Sequence, residues 1–166
     1  MKTLLLLRHA KSSWADPGQP DFERPLNERG RQTAPVIGRF LVQRMLKPDT
    51  VVCSPAERAR ETAALVLAAA ELSPTVRYDA RIYEASAPRL LEVVQEIAAP
   101  AATAMLVGHN PGMEELIALL TGERERMQTA ALACVVFDLA AWAAVAPETG
   151  RLAWLIRPKE LAHAPG

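Results

Sequence analysis

The sequence has little that would tie it to a metal, a nucleotide, a membrane or a disulfide framework. Only two of its 166 residues are cysteines, Cys53 and Cys134. Each lies inside an apolar run, Val51-Val52-Cys53 and Ala133-Cys134-Val135-Val136, where a thiol behaves as a small buried hydrophobe. Such spacing argues against a disulfide scaffold or a metal knuckle. There is no His-x-x-x-His or Cys-x-x-Cys pair to ligate zinc. Neither Gly-x-x-x-x-Gly-Lys nor Gly-x-Gly-x-x-Gly is present to cradle a nucleotide's phosphates. The expectation is therefore an activity that uses no cofactor and no metal. The first apolar stretch, Leu4 to Leu7, stops at Arg8-His9, short of a signal-peptide core. No run approaches the 18 or so apolar residues of a membrane span. Charge of one sign is also lacking, because 19 Lys+Arg balance 19 Asp+Glu. A general nucleic-acid binder usually carries a net basic surface. The reading is a cytoplasmic protein with neither nucleic acid nor membrane as partner.

Half of the residues are apolar, enough to exclude intrinsic disorder, and the length fits one domain over residues 1–166. Short β-prone runs alternate with longer helix-like stretches. The predicted strands are Thr3 to Leu7, Thr50 to Cys53, Thr75 to Tyr78, Ala104 to Val107, Ala133 to Leu139 and Leu152 to Ile156. The leucine run and Met105-Leu106-Val107 show no polar alternation, as expected of strands covered on both faces and central in an α/β sheet. Asn27 is placed to cap a helix running to Met45, with Pro35 demanding a start near Gly30 or a kink. Ser54-Pro55 and Asn110-Pro111 both read as a cap followed by a first-turn proline, opening helices to Ala70 and about Leu120. A further helix is expected over Pro88 to Ala98. Ser12 to Arg24 reads as a loop, and Ala131 to Arg157 as a hairpin-like pair of strands.

Ligands of open α/β sheets sit beyond the carboxyl ends of the strands, and two of the three histidines fall there. His9 follows the first strand and His109 the fourth, whereas His163 lies in the polar tail. Arg8 adjoins His9, and Arg58 falls in the first turn of the helix after the second strand. Arginine offers a fork of fixed donors that matches phosphate oxygens, and helix N-termini at Ser54 and Asn110 would add backbone N–H groups. The combination predicts a phosphate pocket. Either histidine alone would be unremarkable at a strand end; both at one sheet edge point to chemistry.

These segments resemble a known family. Leu7-Arg8-His9-Ala10-Lys11-Ser12 is similar to the Arg-His-Gly signature of the histidine phosphatase superfamily, and Val107-Gly108-His109-Asn110-Pro111-Gly112 to its second-histidine motif. Arg24-Pro25-Leu26, Ser54-Pro55 with Arg58, and Arg157-Pro158-Lys159 extend the resemblance over nearly the whole chain, and the match is close to the SixA-type phosphohistidine phosphatases. It implies a three-layer α/β/α, phosphoglycerate mutase-like domain with a mainly parallel sheet. It implies a nucleophile at His9, phosphate-binding arginines at Arg8 and Arg58, and a second catalytic histidine at His109. Arg24 and Asn110 are further candidates for the phosphate site. The signature glycine is Ala10 here, whose methyl would narrow the backbone's approach to a ligand.

The leaving group separates the substrates. An alkoxide needs a proton from a placed acid, whereas a protonated imidazole leaves readily from a P–N bond. Glu84, in Ile82-Tyr83-Glu84-Ala85-Ser86, is the candidate acid by resemblance to the ester-cleaving members, with Asp16 and Asp21 in an unplaced loop. The chain leaves little room for the insertions that build a substrate cover in larger members. An open pocket suits phosphohistidine on a protein, such as a histidine phosphotransfer domain. The alternatives are a small-molecule phosphomonoesterase with Glu84 as general acid and a catalytically silent phosphoprotein-binding module. Trp14, in the first loop, either contacts such a partner or packs in the core.

Overall fold

The computed structural model describes residues 1–161, so His163 lies outside the described residues. The strands are β1 (Lys2–Arg8), β2 (Thr50–Cys53), β3 (Thr75–Tyr78), β4 (Thr103–Gly108), β5 (Leu132–Phe137) and β6 (Gly150–Ile156). They form one sheet in the order β3-β2-β4-β1-β5-β6. Strands β3, β2, β4 and β1 run parallel; β5 is antiparallel to β1, and β6 to β5. The helices are α1 (Glu28–Gln43), α2 (Glu57–Ala70), α3 (Ala87–Gln95), α4 (Gly112–Thr121) and the short α5 (Pro158–Leu161).

Because successive strand side chains point to opposite faces, the leucine run of β1 feeds two cores. Leu4 and Leu6 pack with Leu90, Val94, Leu116 and Ile117 of α3 and α4. Leu5 and Leu7 pack with Ile37, Leu41, Ala63 and Val66 of α1 and α2. This is the expected three-layer α/β/α architecture, and all four leucines are fully buried. Truncating Leu5 or Leu6 to alanine is expected to cost about 2–5 kcal/mol. Trp142 and Val145 also enter the first core, so the apolar segment between β5 and β6 packs internally.

Parallel β1, β2 and β4 bring their carboxyl ends to one sheet edge. The register pairs Arg8 with Gly108 and Cys53 with Val107. The His9 N–H donates to the Gly108 carbonyl at 3.0 Å, and the Ser54 N–H to that of Val107 at 3.0 Å. His9, Ser54 and His109 are thus set side by side by backbone pairing.

Two helix starts differ from the sequence expectation. Helix α2 begins at Glu57 with Ala56 as its N-cap, and α4 at Gly112 with Pro111 as its N-cap. Ser54 and Asn110 stand outside both helices, because their side chains have other partners, described below. Asn27 does cap α1, its Oδ1 accepting from the Gly30 N–H at 2.8 Å, and Pro35 lies inside that helix. A Cβ on Gly30 would come within 2.2 Å of the Lys11 carbonyl oxygen. Only glycine lets the start of α1 rest against the segment that follows His9. Helix α3 ends at Gln95, three residues earlier than expected. Within the expected first loop, a 3₁₀ turn spans Asp21–Glu23 and a bridge joins Ser12 to Leu26.

Candidate active site

His9 and His109 face each other beyond β1 and β4, with ring centroids 5.1 Å apart. His9 is only 7% exposed. Its Nδ1–H donates to the carbonyl of Ala10 at 2.7 Å, which fixes the tautomer and leaves the lone pair on Nε2. Burial, reinforced by Arg58, Arg8 and Arg24, pushes the His9 pKa down to about 4. His109 is pushed down to about 3, first by burial and then by His9, Arg58 and Arg8. Both rings are neutral near pH 7.

His109 Nε2 lies 2.7 Å from Ser54 Oγ, and Ser54 Oγ also accepts from the Ala56 N–H at 3.2 Å. Ser54 therefore orients the second histidine. Tyr83 stands edge-on to His109, with centroids 5.5 Å apart. Its hydroxyl donates to Asp21 Oδ2, and burial together with that carboxylate raises the Tyr83 pKa to about 12.

Two arginines flank the histidines. Arg8 Nη1 donates to the Met127 carbonyl at 3.0 Å, and no carboxylate forms a salt bridge with it among the described residues. Burial lowers the Arg8 pKa. The side chain of Arg58 is held by Asp21, with Nη1 donating to its carbonyl at 2.7 Å and Nη2 to Oδ2 at 3.0 Å. Asp21 also accepts from Arg24 Nε at 3.1 Å. The Tyr83 hydroxyl bond, followed by those of Arg24 and Arg58, keeps the Asp21 pKa down at about 2. Thr62 ties the two walls together. Its Oγ1 accepts from the Ala10 N–H at 3.0 Å and donates to the Arg58 carbonyl at 2.7 Å. Buried polar atoms without a protein partner gather at this sheet edge: Arg8 Nε, Arg58 Nε, His109 Nδ1 and Asn110 Oδ1. Buried polar atoms are ordinarily paired, so their gathering here marks a place built to receive a polar group.

The candidates from sequence divide accordingly. His9, His109, Arg8 and Arg58 come together. Asn110 sits at the rim, its Nδ2 donating to Glu114 Oε2 and to the Met127 carbonyl, both at 2.8 Å. Arg24 is buried, but it staples the first loop. Its Nη1 donates to Ser12 Oγ at 2.8 Å and to the Ser13 carbonyl at 3.1 Å, and its guanidinium stacks 3.6 Å from the Trp14 ring centroid. Trp14 is 74% exposed and so does not pack in the core. Glu84 is exposed, with a φ of 55°, and makes no hydrogen bond among the described residues. Ala10 is fully buried in the core shared with α1 and α2, and it has no positive φ that would demand glycine.

Sequence reasoning missed Ser54 as a partner of His109, Thr62 as a tie, and Tyr83 as a wall. Ser54 had a signal, since it ends β2 as His9 and His109 end theirs. Thr62 and Tyr83 had none. No cluster of potential metal ligands occurs among the described residues, nor any helix long and apolar enough to cross a membrane.

Comparison with known proteins agrees with this geometry. Residues 4–98 match the family model described as the histidine phosphatase superfamily (branch 1). The Mycobacterium tuberculosis protein Rv1276c is 35% identical over 114 residues, 69% of each chain. The Arabidopsis thaliana chloroplastic protein At3g52155 is 30% identical over 137 residues, covering 77% of this chain and 63% of its own. Among solved structures, one from Agrobacterium tumefaciens bearing the name phosphohistidine phosphatase SixA superposes with a TM-score of 0.81 at 30% identity, over 95% of this chain and 98% of that one. A SixA complex with tungstate shares the fold at 21% identity, with a TM-score of 0.84 over 96% and 99% of the two chains. With two histidines and two arginines at the carboxyl edge of this sheet, the chain belongs to the histidine phosphatase superfamily, whose members support phosphatase chemistry through a histidine.

Proposed function

We propose that this protein removes phosphate from phosphohistidine in a protein through a covalent intermediate on His9. The observation that carries the reading is the state of His9. Its Nδ1–H is spent on the Ala10 carbonyl and its pKa is about 4, so Nε2 is a permanent lone pair at neutral pH. Attack of Nε2 on phosphorus forms one P–N bond while the bond to the substrate imidazole breaks, and the departing ring leaves neutral if its other nitrogen is protonated. Water then attacks the phosphorus, the P–N bond to His9 breaks, and inorganic phosphate departs. Arg8 and Arg58 hold the charge on the equatorial oxygens, since positioning and electrostatics supply most of the catalysis in phosphoryl transfer. A bound phosphate offsets the arginine charge at His109 and favours its protonated form, which then donates to a phosphoryl oxygen.

Two carboxylates bear on the leaving group. Asp21, pushed down to about 2, is an anion at neutral pH and has no proton to give. Glu84 is exposed, on a left-handed turn beside Tyr83. Both support cleavage of a P–N bond, which needs no buried acid. The second reading, a small-molecule phosphomonoesterase with Glu84 as acid, draws on the contact of the neighbouring Tyr83 with His109.

The experiment measures phosphate release from a phosphohistidine peptide and from p-nitrophenyl phosphate, with no added metal, by the unaltered protein, His9→Ala and Glu84→Gln. Preference for the peptide, lost in His9→Ala and kept in Glu84→Gln, supports the proposal. Strong ester turnover abolished by Glu84→Gln supports the second reading. No turnover of either, with retained phosphate binding, overturns both in favour of a binding module.

A further inference from the structure

A cleft of about 490 Å³ opens beside the catalytic edge, between α1, α5 and the segment leading into β5. Three cationic side chains line it: Lys11, Arg29 and Lys159, together with the polar Gln32, Gln128 and Thr129. No carboxylate lines it among the described residues. Lys11, Arg29 and Lys159 are all exposed, and none is in a salt bridge among the described residues. Glu28 is not among the residues that line the cleft; its Oε1 accepts from Gln32 Nε2 at 3.2 Å.

The cleft and the catalytic site share their backbone. Lys11 is two residues beyond His9. Thr129 precedes Ala130, whose N–H donates to the His9 carbonyl at 3.0 Å. The chain as a whole is neutral, so three cations without a lining carboxylate are a local surplus rather than the general character of the surface. An exposed patch of one sign attracts a partner of the other and fixes its orientation.

We propose that this cleft docks acidic side chains flanking the phosphorylated residue of a protein substrate. The inference rests on the phosphatase reading of His9 and deepens it. An occupant of about 490 Å³ corresponds to a few side chains, which suits a segment lying across the cleft with its phosphoryl group at His9. The cations are exposed and solvated, so the cleft contributes to the rate of capture and to the choice of partner more than to the chemical step.

The test compares kcat/KM for a phosphohistidine peptide with Asp and Glu flanks and for the same peptide with Asn and Gln, using the unaltered protein and the double variant Arg29→Glu/Lys159→Glu. Exposed ion pairs contribute modestly, so two charge reversals are expected to lower kcat/KM for the acidic peptide about tenfold. Turnover of phosphoramidate and of the neutral peptide should change less than about twofold, which also shows that the variant is folded. Arg29→Gln/Lys159→Gln should give an intermediate loss, and added salt should abolish the preference of the unaltered protein. Equal kcat/KM for both peptides overturns the docking proposal while leaving the phosphatase reading intact. So does a preference seen only with small bis-phosphate substrates, which would make the cleft a subsite for a second phosphate. No turnover of phosphoramidate by the unaltered protein overturns the phosphatase reading, and the docking proposal with it.

Discussion

Asp21 and Asp79 each gather arginines, and the difference between the two clusters separates a site from a staple. Asp79 accepts from Arg77 Nη1 at 2.9 Å and from Arg81 Nη2 at 2.8 Å, and Arg81 reaches on to Glu96 at 2.6 Å. Two cations meet two carboxylates there, and the arginines lie toward solvent. Charge is balanced, and the cluster pins the 3₁₀ turn that Asp79 caps. At Asp21 the exposure is reversed. Arg24 and Arg58 are buried while the carboxylate is partly exposed. Arg8 adds a third cation that forms no salt bridge among the described residues, and Glu114 only partly offsets the lowering of its pKa by burial. Desolvated positive charge in surplus is costly unless something anionic arrives. Balanced charge at the surface asks for nothing further.

The largest expected effect breaks the comparison at its centre. His9→Ala should lower turnover of phosphohistidine peptide by at least about 10³-fold, since removal of a nucleophile leaves only binding and electrostatics. Phosphate-release assays check it, and an active variant would sink the assignment of the nucleophile. Next comes the contrast between arginines. Arg58→Ala should cost about 10²–10³-fold in kcat. Arg81→Ala should leave kcat within about twofold, because partly exposed ion pairs remote from chemistry contribute little.

The aspartates sharpen the same contrast. Asp21→Asn loses the charge that orients Arg58 and is expected to lower kcat/KM about tenfold, the scale of one charge-assisted hydrogen bond. Asp79→Asn should spare activity and lower Tm by about 3–6 °C, for a loss of roughly 1–2 kcal/mol in a chain of this size. Parallel kinetics and calorimetry on both variants decide whether the two clusters really differ in kind.

The remaining effect is on pH. Both histidines have folded pKa values, about 4 and about 3, below the 6.5 or so of an unfolded chain. As pH falls, the unfolded state takes up protons first, so stability is fully present above about pH 6.5 and declines toward pH 4. Tm should therefore fall between pH 6.5 and 4.5, above the range in which ordinary carboxylates titrate. His109→Asn should flatten that slope, and added inorganic phosphate should oppose it by favouring protonated His109. A Tm independent of pH in this window would contradict the neutral, buried state of the pair.

The architecture was largely legible in the chain. Leu4-Leu5-Leu6-Leu7 and Met105-Leu106-Val107 could be read as doubly covered strands because apolar runs without alternation have few other uses. Each strand was located to within two residues at either end, the largest differences being β5, which ends at Phe137 rather than Leu139, and β6, which begins at Gly150 rather than Leu152. The helix caps at Ser54 and Asn110 were misplaced. A small polar residue before proline has the same local appearance whether it caps a helix or turns its side chain to a neighbour 55 residues away. Ser54 does the latter, toward His109.

By itself, then, the sequence determined the alternating layers, the two histidines at strand ends and the arginines beside them, because those depend on local periodicity and on motifs of adjacent residues. Tertiary structure alone decided that His9 presents Nε2, that Asp21 holds Arg58 and Arg24 as an anion, that Ser54 and Tyr83 frame His109, and that Lys11, Arg29 and Lys159 line one cleft. These outcomes rest on contacts between segments distant in the chain, whose burial and mutual fields set the hydrogen-bond partners and charge states that no local pattern records.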